Sequence, residues 1–202
     1  MNDAAQGASN AASRHFINLA GWHVRARRVA SPNVDGRPGG VAIELIVIHN
    51  ISLPPGQFGG RAVEQFFTNR LRADAHPYFA QIAQLRVSAH FFITRDGRLT
   101  QFASTNRRAW HAGVSHWRGR DRCNDFSVGI ELEGTDVRPY TAKQYVRLAR
   151  LIRALVCRYP AIRGVAGHAD IAPGRKTDPG PAFDWARLAA ESGLPQRFRT
   201  LA

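Results

Sequence analysis

The run IELIVIHN, residues 43–50, is apolar and largely β-branched until its last two positions, the pattern of a strand buried on both faces. It delivers His49 to the strand's C-terminal end, where α/β sites commonly lie. RAVEQFFTNRL, 61–71, follows the prolines and glycines of SLPPGQFGG and predicts a helix. VSAHFFITRDGRLTQFA, 87–103, reads as two strands joined through Asp96 and Gly97, a hairpin signal. In FSVGIELEG, 126–134, the period of two sends Ile130 and Leu132 to one face and Glu131 and Glu133 to the other. From Thr141 the apolar positions Tyr145, Leu148, Ile152, Leu155 and Tyr159 form one helical stripe that stops at Pro160, with Arg147, Arg150 and Arg153 on the wet side. GVAGH, 164–168, predicts a last short strand, and FDWARLAAESG a closing helix stopped by Gly193. Strands interleaved with helices and at least one hairpin predict an α/β (α+β) single domain, a mixed central β-sheet covered by helices.

Composition changes this picture little. The chain has 202 residues and 44% apolar content, enough for one well-buried core. A net charge of +13 invites an anionic partner. The cations are almost all arginine, Lys143 and Lys176 being the two lysines, and they are scattered along the chain. Scattered charge is a solvated surface rather than a binding tail, so neither nucleic acid nor membrane is expected as a partner. Two cysteines, Cys123 and Cys157, make no disulfide framework and fit a reducing compartment. No basic start followed by an apolar run opens the sequence, and no segment has the apolar length of a membrane span, so a cytoplasmic location is expected. The small polar residues at the start predict a disordered leader.

Three positions have the chemistry of metal ligands: His49 and His168, each at a strand end, and Asp178 in GHADIAPGRKTDPGPAFDW, 167–185. Pro179 drives Asp178 out of the helical region and Pro181 fixes the chain beyond it, so the carboxylate is held before the closing helix starts. Two imidazoles and a carboxylate suit a borderline cation such as Zn²⁺, and three protein ligands leave a fourth position open, as in catalytic sites. A rival use exists, because His168-x-Asp170 is also the start of a non-haem iron triad. That pattern wants a later histidine, and His168 is the last one. No nucleophile motif is present, since GVSHW, 113–117, is not Gly-x-Ser-x-Gly and Cys123 has no evident activating partner. Glu131 and Glu133 are equally placed to act as a base, and spacing does not choose between them. Lys176, two residues before Asp178, reads either as a cation for an oxyanion or as a solvated loop lysine.

In order along the chain, GWHVRARRVASPNVDGRP, VIHNISLPPGQFGG, AHPYFA, LRVSAHFFITRDG, RAWHAGVSHWRGRDRCNDFSVGIELEGTD, RYPAI and GHADIAPGRKTDPGPAFDW closely resemble the AmpD family of zinc-dependent N-acetylmuramoyl-L-alanine amidases. The resemblance spans 21–188. It implies the peptidoglycan-recognition, T7-lysozyme-like amidase fold and cleavage of small 1,6-anhydromuropeptides during cell-wall recycling. It also implies one Zn²⁺ per chain on His49, His168 and Asp178, with Glu131 rather than Glu133 as base and Lys176 stabilising the tetrahedral intermediate. Asn50, Arg86, Trp110 and Arg122 match the family's substrate-binding positions. Arg86 and Arg122 suit carboxylates of the stem peptide, because guanidinium binds carboxylate bidentately. Trp110 suits an apolar face of the ligand, with core packing as the alternative. His90, in an apolar strand, is expected to be a satisfied buried histidine, and His111, near the pocket in the family, carries no assigned role. The expected organisation is a leader over 1–20, the amidase domain over 21–190 and a tail over 191–202, acting as a monomer. A broader amidase cutting polymeric peptidoglycan and a non-catalytic recognition module remain as alternatives.

Overall fold

In the computed structural model, which describes residues 16–194, the strands are β1 (Arg27–Arg28), β2 (Val34–Gly36), β3 (Leu45–Ile51), β4 (Phe91–Ile93), β5 (Leu99–Gln101), β6 (Arg107–Ala109), β7 (His116–Trp117), β8 (Arg120–Asp121), β9 (Ser127–Glu133) and β10 (Gly164–Gly167). The helices are α1 (Ala62–Phe67), α2 (Pro77–Ile82), α3 (Ala142–Arg158), α4 (His168–Ile171) and α5 (Trp185–Ser192). Six strands form one sheet in the order β1-β5-β4-β9-β3-β10. Only the β4–β5 hairpin is antiparallel; β3, β9 and β10 run parallel side by side and β4 joins β9 in parallel. The sheet is therefore mixed, as the interleaved pattern predicts. The short pairs β2–β6 and β7–β8 lie outside it.

One face of the central strands presents Ile46, Ile48, Val128, Ile130 and Leu132, and α3 lays Tyr145, Leu148, Ile152 and Leu155 across them. Each such side chain taken out of water contributes about 1.5–3 kcal/mol. The start of α3 is fixed by a capping box, in which Thr141 accepts from the Gln144 N–H and the Gln144 side chain returns to the Thr141 N–H. Gly193, at φ 64°, closes α5 in the left-handed conformation that suits glycine. The other face carries Leu45 and Val47, covered by Ala112, Trp117, Cys123 and Phe126. His49 and Glu131 continue this second face toward the C-terminal strand ends. They sit directly opposite each other in the β3–β9 register.

Three boundaries differ from expectation. The helix expected over 61–71 ends at Phe67, because Asn69 turns left-handed at φ 59°. Ile17, placed in the leader, is instead 2% exposed, bridges to His23 and joins the main core, so the folded chain starts before Gly21; residues 1–15 of the leader lie outside the described residues. The tail expected from 191 begins inside α5, and residues 195–202 also lie outside.

Candidate active site

The parallel strands gather the three proposed ligands at one end of the sheet. Gly167 pairs with Ile48, so His168, the residue after β10, emerges beside His49, the residue after Ile48. Asp178 arrives from the following loop, which the Ala169 N–H ties down by donating to the Asp178 carbonyl at 2.9 Å, while the Tyr140 hydroxyl donates to the Pro179 carbonyl at 2.8 Å. Gly167 has a packing reason to be glycine: a Cβ there would stand 2.8 Å from Pro179 Cδ. The outcome is a near-equilateral triangle. His49 Nδ1 and His168 Nδ1 are 3.0 Å apart, and each lies 3.1 Å from Asp178 Oδ2. Donors held tetrahedrally at about 2.0–2.1 Å from an ion stand about 3.3 Å apart, so two imidazoles and a carboxylate already converge at nearly that spacing, and these residues fit a metal ion.

Protonation agrees with ligation. Burial, then the neighbouring His168, pushes the His49 pKa down to about 4, so the ring is neutral near pH 7 and its contact with Asp178 is not an ion pair. Burial raises the Asp178 carboxyl, but the two imidazoles of His168 and His49 beside it outweigh this and hold it below the usual carboxylate range. The outer nitrogens of both imidazoles are occupied. His168 Nε2–H donates to the Ala112 carbonyl at 3.0 Å, so in the neutral tautomer Nδ1 carries the free lone pair. His49 Nε2 meets His111 Nδ1 at 3.0 Å, and His111 Nε2 meets Ser127 Oγ at 3.2 Å. With His49 Nδ1 as a ligand, the protons run one way: His49 Nε2–H to His111, then His111 Nε2–H to Ser127.

Alternation could not separate the two glutamates, whereas their surroundings do. Glu133 is spent on structure, its two oxygens accepting the N–H groups of Gly59 and Arg95. Glu131 lines the cleft and is 8% exposed, and its Oε2 is buried with no hydrogen-bond partner among the described residues. Burial, reinforced by Asp178 and opposed by Lys176, raises its carboxyl well above the usual range. A buried carboxyl oxygen without a partner calls for a functional explanation, and beside the triangle it has the makings of a general base. Lys176 is exposed on the cleft wall.

The cleft encloses about 720 Å³, large enough for a drug-sized ligand. Of the residues expected to bind substrate, Asn50 and Trp110 line it, and Asn50 donates to Asp136 at 2.7 Å. Arg86 and Arg122 do not line it. Arg86 folds back onto the carbonyls of Ala83 and Gln84, and Arg122 lies 3.3 Å from Asp125 with its side chain 71% exposed. His90 is the satisfied buried residue expected, accepting the Gly129 N–H and facing the Arg107 carbonyl, both at 3.0 Å. His111, Ser127 and the Ala112 carbonyl were not assigned a part in the site by sequence reasoning; nothing in their spacing signals it, because their partners lie on distant segments.

A family model described as N-acetylmuramoyl-L-alanine amidase matches residues 39–181. The 1,6-anhydro-N-acetylmuramyl-L-alanine amidase AmpD of Escherichia coli (strain K12) is 60% identical over 169 residues, covering 83% of this chain and 92% of that protein. A crystal structure of a selenomethionine derivative of AmpD matches with a TM-score of 0.84 at 58% identity, over 85% of this chain and 97% of that one. The Escherichia coli amidase AmiD, solved with the substrate anhydro-N-acetylmuramic acid-L-Ala-D-gamma-Glu-L-Lys, matches with a TM-score of 0.56 at 31% identity, over 77% of this chain and 60% of that one.

Proposed function

Because the chain belongs to the N-acetylmuramoyl-L-alanine amidase family, we propose that it hydrolyses the amide between the lactyl group of 1,6-anhydro-N-acetylmuramic acid and L-alanine, using one zinc ion held by His49, His168 and Asp178. The observation that carries this reading is the convergence of those three donors beside the unpartnered Glu131 carboxyl, inside a cleft at the C-terminal ends of parallel strands. When bound, zinc supplies a Lewis acid and brings the pKa of water down to about 7.

The protein's own groups do the rest. Glu131 takes a proton from the attacking water and returns it to the departing alanine nitrogen, a task that suits a carboxyl whose pKa burial has lifted. Lys176 offers an ammonium to the developing oxyanion from the cleft wall. Trp110 and Asn50 orient the muropeptide from the same wall. Arg86 and Arg122 would reach its carboxylates only by swinging from their present contacts. The enzyme acts as a monomer on soluble muropeptides in the cytoplasm during peptidoglycan recycling. Among the described residues no helix is long and apolar enough to cross a membrane.

The test is to incubate the protein with 1,6-anhydro-N-acetylmuramyl-tripeptide, and separately with intact sacculi, with and without a chelator, and follow products by mass spectrometry. Chelator-sensitive release of free tripeptide, with sacculi little changed, is the expected result. Cleavage of sacculi at a comparable rate would instead identify an amidase for polymeric peptidoglycan, and no cleavage of either by zinc-loaded protein would sink the enzymatic reading.

A further inference from the structure

Both histidine ligands lean on adjacent residues of one segment. His49 rests on the His111 ring, and His168 on the carbonyl of the next residue, Ala112. That dipeptide is clamped from behind. Asn124 Oδ1 accepts both of its backbone N–H groups, from His111 at 3.1 Å and from Ala112 at 2.8 Å. Asn124 is itself anchored, its carbonyl accepting from the half-buried Arg37 guanidinium at 3.1 Å. It does not line the cleft and touches neither ligand.

We propose that Asn124 is a positioning residue for the metal centre, holding through one side-chain oxygen the outer hydrogen-bond partners of both histidine ligands. This rests on the zinc reading above. The physical reason is the directionality of the imidazole. A ligand nitrogen binds metal well only when its lone pair is aimed and the ring proton resides on the other nitrogen, and the acceptor opposite that nitrogen sets both. Here the two acceptors belong to adjacent residues of one segment, so one side-chain oxygen braces both, while Arg175 adds its own hydrogen bond to the Ala112 carbonyl at 2.6 Å. Loss of the clamp frees the dipeptide to shift and loosens both rings together.

The test compares the full-length wild type with Asn124→Ala and Asn124→Asp, titrating zinc against a chromogenic chelator at one neutral pH, alongside urea denaturation of the metal-free proteins. Asn124→Ala should weaken zinc binding at least several-fold, toward the roughly 10–100-fold cost of losing an outer partner outright. Asn124→Asp keeps the accepting oxygen and should recover most of that affinity. Wild-type zinc affinity in folded Asn124→Ala, with only its stability lowered, overturns the inference and leaves the residue a loop brace. If Asn124→Ala does not fold, Asn124→Leu serves: it keeps the side-chain volume but removes the accepting oxygen, should weaken zinc binding likewise, and overturns the inference if affinity is unchanged. A wild type that binds no zinc brings down the function reading itself, a result distinct from equal binding by wild type and variants.

Discussion

Gly129→Ala puts the architecture beneath the site to a quantitative test. Gly129 sits in the middle of β9, and its φ is not in the left-handed region, so alanine meets no backbone objection. Judged by conformational entropy alone, the change would stabilise the protein by about 0.4–1 kcal/mol. The packing predicts the opposite sign. A Cβ at this position would stand 2.6 Å from His111 Cδ2 and 2.7 Å from its Nδ1, about 1 Å inside the optimum separation of roughly 3.5–4.0 Å. The ring has nowhere to go without giving up its contacts to His49 and Ser127. Overpacking costs about 1–3 kcal/mol, and stranding the buried His49 Nε2–H adds about 1–3 kcal/mol. Net destabilisation should therefore be about 1–5.5 kcal/mol, seen as a lower urea midpoint at unchanged m-value and a melting temperature lower by roughly 2–20 °C. Zinc affinity should fall as well, since the outer partner of His49 has moved. A variant as stable as wild type or more so would show that the His111 ring is not packed on β9 as described, and the relay from His49 to Ser127 would have to be abandoned.

Glu131→Gln should retain zinc, by metal analysis, and lose about 10²–10⁴-fold in kcat; near-normal turnover would remove Glu131 as the base. Glu133→Gln should do the reverse, keeping most of kcat while lowering urea stability by about 1–3 kcal/mol, because it weakens an acceptor for the Gly59 and Arg95 N–H groups. His168→Ala should lose both metal and activity, and normal zinc content in that variant would strike it from the ligands. Acid should expose His90, whose pKa burial, aided by Arg37, lowers to about 3. Below about pH 6.5 the unfolded chain takes up a proton that native His90 refuses, so stability falls as pH drops toward 3, by about 1.4 kcal/mol per unit. His90→Gln, which can still accept from Gly129 and donate to Arg107, should lose about 2 kcal/mol less than wild type between pH 7 and pH 5; identical pH slopes would refute the assignment.

Much of the fold can be read from the chain because the strongest elements are periodic. The stripe from Tyr145 to Leu155 and the unbroken run around Ile46 and Ile48 each leave one way to bury their apolar surface, and the structure uses it. Weak periodicity gives weaker guidance. The pairs β2–β6 and β7–β8 are too short to carry a pattern, and α1 stops early because Asn69 takes a left-handed turn that residue spacing does not reveal.

The site divides along the same line. Residue type and local constraint single out His49 and His168 at strand ends and Asp178 before Pro179 as candidate ligands, because a ligand's chemistry and the stiffness around it are properties of a few neighbouring residues. The choice of Glu131 over Glu133 on this chain's own geometry is a different matter. Both glutamates share a strand face, and only the loop around Gly59 and the turn at Arg95, closing over one and not the other, distinguish the braced carboxylate from the unpartnered one. Likewise no local pattern joins His49 to His111 and Ser127, or Asn124 to the backbone that supports both imidazoles. Those contacts exist because parallel strands and their crossovers bring distant segments within hydrogen-bond range. The sequence by itself determined which groups could bind a metal and which surfaces had to be buried; the tertiary structure alone decided which proton each imidazole keeps, since a hydrogen bond depends on where its partner stands.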